Sequence, residues 1–117
     1  MNLTAIQIQE NWYELLGYIK LHITSPRREK LEAFYKKHEG EIMLMPASHK
    51  KAYHNAFPGG YVDHVNRVIK GALALNSVWK EFGAEQNYTI EELVFSAINH
   101  DLGKLGEEDN YAHQPST

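Results

Sequence analysis

His64, His100 and Asp101 are the residues whose types and spacing could do chemistry. His100 and Asp101 are adjacent, Gly103 and Lys104 follow at once, and His64 lies well upstream after a Gly-Gly pair. Imidazole nitrogen and carboxylate oxygen together suit borderline and hard divalent cations such as zinc, manganese, iron or magnesium. The chain has no cysteine, so any metal must be held by nitrogen and oxygen. Neighbours on a helix point about 100° apart. An adjacent His–Asp pair therefore converges on a cation lying between those two directions, most easily at a helix end, where Gly103 permits a sharp exit. The structural alternative is a hydrogen-bonded histidine inside a bundle, with a second histidine at a helix C-terminus, where the dipole favours cations.

These residues need helices to carry them. Residues 4–22 read as a first helix, capped by Thr4, with Ile6, Ile8, Trp12, Leu15, Leu16, Ile19 and Ile23 at mostly three- and four-residue steps. Ser25-Pro26 looks like an N-cap followed by proline at the first helical position. The helix it opens sets Leu31, Phe34 and Tyr35 against a charge run read as a solvated face, and Gly40 is expected to end it. Pro46, Pro58, Gly59 and Gly60 mark a loop, with or without a short helix. A long helix is expected over 61–82, with a buried stripe of Val65, Val68, Ile69, Ala72, Leu75, Val78 or Trp79, and Phe82, closed by Gly83. Thr89 and Glu92 form a capping box for a last helix that runs into His100-Asp101 and stops near Gly103. Trp12, Trp79 and the tyrosines read as core or half-buried packing residues. Tyr88-Thr89-Ile90 is too short for a strand. The class expected is all-α, a compact helical bundle in one domain: N-terminal helices over 1–45, metal-site helices over 46–106 and a C-terminal loop over 107–117.

Composition narrows the partners. The 117 residues fit one domain, and a net charge of -3 argues against a surface built wholly for nucleic acid. The absence of cysteine and of a basic, apolar leader makes the cytoplasm the natural expectation. No run of about 18 apolar residues exists, so no membrane partner is expected. Oligomeric state is left open by the sequence.

Two segments carry a family resemblance. The stretch 54–65, His-Asn-Ala-Phe-Pro-Gly-Gly-Tyr-Val-Asp-His-Val, and the stretch 99–104, Asn-His-Asp-Leu-Gly-Lys, resemble the segments that define the HD superfamily of metal-dependent phosphohydrolases. The resemblance spans 54–104, just under half the chain. It implies an all-helical fold of the HD-domain type, with His64, His100 and Asp101 holding a divalent ion (Mn, Mg, Fe, Zn, Co or Ni). It implies hydrolysis of a phosphate ester or anhydride in a small nucleotide or a nucleic-acid phosphodiester, by a metal-activated water. Lys104 would then meet phosphate charge, and His54 would lie at the mouth of the site, able to protonate a leaving oxygen. Lys50 and Lys51 are weaker candidates there. The stretch around Gly59-Gly60 is also similar to HD domains of some 3′-to-5′ exoribonucleases.

The chain departs from that pattern in one respect. HD proteins supply a further Asp ligand from a later helix, and no position here matches it. Asp63 and Asp109 are the nearest carboxylates, and the sequence ends 16 residues after Asp101. The expectation is therefore an HD bundle incomplete at its C-terminus. The alternative is a catalytically incomplete module that binds a nucleotide or a partner protein without turnover.

Overall fold

The computed structural model describes residues 2–47, 57–100 and 102. Among them the chain forms five helices and no strand: α1 (Ala5–His22), α2 (Arg27–Lys37), α3 (Glu39–Leu44), α4 (Gly60–Glu81) and α5 (Ile90–Asn99). No helix among them is long and apolar enough to cross a membrane. The all-helical expectation holds.

Each helix begins and ends for local reasons. The Thr4 hydroxyl accepts from the Gln7 amide at 3.1 Å, and the Gln7 side chain returns the bond to the Thr4 amide at 2.8 Å. Thr89 and Glu92 repeat that reciprocal box at α5, at 3.1 and 3.0 Å. Pro26 occupies the cap position of α2 without a side-chain cap bond, one residue earlier than the sequence reading placed it. Ser25 instead donates its hydroxyl to Glu29 at 2.5 Å. Gly83, at φ 82°, ends α4: its amide bonds the Lys80 carbonyl, and the Ala84 amide reaches back to Trp79, each at 3.0 Å.

Gly40 does not end α2. The helix stops at Lys37, His38 breaks it at φ -107° and ψ 20°, and Gly40 sits inside α3. The break turns Ile42 into the core, where it is fully buried.

One core joins all five helices. Trp12, Leu15, Ile19 and Ile23 from the first helix and its exit meet Leu31 and Tyr35 of α2, Ile42 of α3, Val62, Val65 and Ile69 of α4, and Val94 and Ile98 of α5. Each such aliphatic side chain contributes about 1.5–3 kcal/mol relative to exposure. Ile6 of the expected α1 stripe is instead 68% exposed, because it shares the outward face of the helix with exposed Glu10, Tyr13 and Gly17.

The α4 stripe differs more. Val65 and Ile69 are buried, but Leu75, Val78, Trp79 and Phe82 are 55, 46, 53 and 81% exposed. The inward face of the second half of α4 runs instead through Leu73 and buried Asn76. Asn76 accepts the Tyr88 hydroxyl on Oδ1 and the Gln86 side-chain Nε2 on its backbone carbonyl, both at 3.2 Å. Those bonds fasten the α4–α5 loop to the inward side, leaving the apolar residues outward.

Candidate metal centre

The site is set by how α4 and α5 are aimed. Gly59 starts α4 in the left-handed region at φ 82°. A Cβ there would stand 2.7 Å from Ile8 Cγ1, so both backbone angle and space demand glycine. Around it the Gly59 amide bonds Leu44 at 3.2 Å and the Tyr61 amide bonds Met45 at 3.0 Å. The first turn of α4 is thereby tied to the exit of α3. The close approach at this glycine serves α1 packing.

At the other end, α5 is tied to the α1–α2 junction. Thr24 donates to Glu91 at 2.8 Å, Arg27 pairs with the same carboxylate at 3.6 Å, and the Arg27 guanidinium lies 4.1 Å from the centre of the Phe95 ring. These contacts fix the direction in which α5 delivers its C-terminus.

That delivery brings His100 to His64. Their rings lie 5.9 Å apart, centre to centre, inclined at 45°. His64 is half-buried, in the second turn of α4, and His100 is the exposed C-cap of α5. Nδ1 of His100 lies 3.1 Å from the Ala97 carbonyl. With Nδ1–H donating there, the imidazole carries its lone pair on Nε2. A backbone carbonyl holding the second nitrogen is the usual way a ligating histidine is fixed in tautomer and orientation.

The spacing can be tested against metal geometry. An imidazole nitrogen binds zinc at about 2.0–2.1 Å, placing the ion roughly 3.2 Å from the ring centre. Two rings on one ion then stand about 5.2 Å apart at a tetrahedral angle and about 6.4 Å apart when opposed. The observed 5.9 Å falls between these limits, so the separation of the two rings is compatible with a shared cation.

Asp63 is engaged elsewhere. Its Oδ1 accepts from Asn11 at 3.4 Å and its Oδ2 pairs with Arg67 Nε at 3.0 Å. Among the described residues, no third His, Cys, Asp or Glu joins a metal-ligating group with the two histidines. Asp101, Lys104 and His54, like Lys50, Lys51 and Asp109, lie outside the described residues.

Two grooves elsewhere are not this site. One of about 500 Å³ runs between α1 and the α2–α3 region past Trp12, Gly17 and Lys36. Another of about 600 Å³ runs between α2 and α5 past Lys30, Phe34 and Asn99. Neither is lined by His64 or His100. The sequence reading missed the Ala97 carbonyl, which no side-chain motif could reveal. In comparisons with known proteins, the chain matches no family model, no curated protein and no solved structure.

Proposed function

We propose that the chain is a metal-dependent phosphohydrolase of the HD type, acting on a phosphate ester or anhydride in a nucleotide or nucleic acid. The observation that carries this reading is the meeting of His64 and His100, from the successive helices α4 and α5, with ring centres 5.9 Å apart. His64 and His100 would hold the ion through ring nitrogens and Asp101 through a carboxylate oxygen. When bound, a divalent cation supplies Lewis acidity toward a phosphoryl oxygen and toward water. Ala97 keeps the His100 ring turned for that task through the Nδ1 contact. Lys104 Nζ would meet the charge of the phosphate, and His54 would give a ring proton to the leaving oxygen. The residue sequence supports the assignment through its two HD-like segments, 54–65 and 99–104.

The test is product release from a panel of nucleotides and short oligonucleotides by the metal-loaded chain, compared with Asp101→Asn and His100→Ala. Both substitutions are expected to lower turnover at least about a hundredfold, the upper end of what even outer-sphere partners cost, with helix content unchanged. Unchanged turnover in Asp101→Asn would remove that carboxylate from the mechanism. Nucleotide binding without turnover in the unsubstituted chain would favour the binding module instead.

A further inference from the structure

The second half of α4 presents an apolar row to solvent. Gly71, Leu75, Val78 and Phe82 follow one another at steps of four, three and four, the spacing of a coiled-coil seam. All four are exposed, Leu75, Val78 and Phe82 by 55, 46 and 81%. Trp79 flanks the row at 53% exposure. A Cβ added at Gly71 would meet nothing within 4 Å, so a neighbouring helix could come close there. The helix buries its other side, through Val62, Val65, Ile69 and Asn76. Three apolar side chains in one exposed seam, with Trp79 beside them, go beyond the scattered hydrophobics of an ordinary surface.

The row is complementary to itself in one arrangement. Run antiparallel against a copy, Leu75 falls level with the partner's Val78. In the same register Phe82 falls level with the partner's Gly71. At both ends the largest side chain thus meets the position with no side chain. The same register brings Trp79 beside the partner's Ala72 on a shared flank, within about 3 Å along the axis. On the other flank Lys70 comes as near, along the axis, to the partner's Glu81, placing opposite charges beside each other twice by symmetry. Lys70 already holds Glu14 of its own chain at 3.1 Å, and an ammonium has donors for both. A parallel pair would instead stack Phe82 on Phe82, leave a gap at Gly71 and set like charges level.

We propose that the exposed face of α4 is an isologous dimer interface, in which a second copy of this chain packs antiparallel through Leu75, Val78, Trp79 and Phe82. The interface closes under a two-fold axis, so it gives a dimer without further growth. It does not depend on the metal centre.

The chain contains no native cysteine, so engineered thiols report the register without background. Light scattering behind size exclusion should give twice the chain mass at about 100 µM, and Val78→Glu should weaken dimerisation at least about tenfold with helix content unchanged. Under mild oxidation, Gly71→Cys mixed with Phe82→Cys should form a heterodisulfide. Neither variant alone should link, since like positions lie about 16 Å apart along the axis. A monomer at that concentration would overturn the proposal. So would self-linking of Gly71→Cys, or a dimer indifferent to Val78→Glu.

Discussion

Tyr35 carries a hydroxyl into the core, where the residue is fully buried and the oxygen meets no partner in hydrogen-bond geometry among the described residues. Burial, then the neighbouring Tyr61 hydroxyl, push its pKa well above the ordinary tyrosine value. The folded state therefore disfavours the phenolate, which the unfolded chain accepts near pH 10. The contribution to stability is intact below about pH 10 and is lost as pH rises beyond it, by roughly 1.4 kcal/mol per pH unit for one proton. Tyr35→Phe should be neutral to about 1 kcal/mol stabilising at pH 7, since it removes an unsatisfied buried group. It should also flatten the alkaline decline in denaturant-unfolding free energy. A loss above about 2 kcal/mol at pH 7 would mean the hydroxyl has a partner. Gly59 works in the opposite sense. Gly59→Ala places a Cβ against Ile8 at φ 82° and should cost about 2 kcal/mol or more. A cost below about 0.5 kcal/mol in chemical denaturation would show that the α1–α4 junction relaxes freely.

At the scale of elements, the Thr89–Glu92 box was legible because capping chemistry is local, and α5 begins where that box sets it. Thr89→Ala should cost about 1 kcal/mol, read as a drop in thermal midpoint, and should weaken metal binding only through the aim of α5. A cost within error would make the box redundant with the Thr24 and Arg27 contacts to Glu91. Gly40 misled because a glycine marks a helix end only where the chain needs its angles, and here His38 makes the break. The α4 stripe misled for a different reason. Periodicity shows which residues of a helix share a face, but not which of two faces the rest of the chain covers. Val65 and Ile69 and the row from Leu75 to Phe82 are both regular, and only the first meets the core. The buried face of the second half runs through Asn76, a polar residue that a hydrophobic pattern passes over.

At the scale of the molecule, the packing of α5 against α4 brings His100 beside His64. The types of His64, His100 and Asp101 were legible in sequence. The approach of His64 to His100 was not, because it depends on Gly59 anchoring one helix and Glu91 anchoring the other. The most direct measurement is a cobalt(II) titration of the metal-free chain followed by proton NMR of the histidine rings. If one cation lies between them, the ring protons of His64 and His100 will shift together in a single saturable step at one equivalent. Other histidines outside the site will not follow, and His64→Ala will abolish the His100 response. Separate saturation of the two rings, or a His100 response undiminished in His64→Ala, would contradict the shared site.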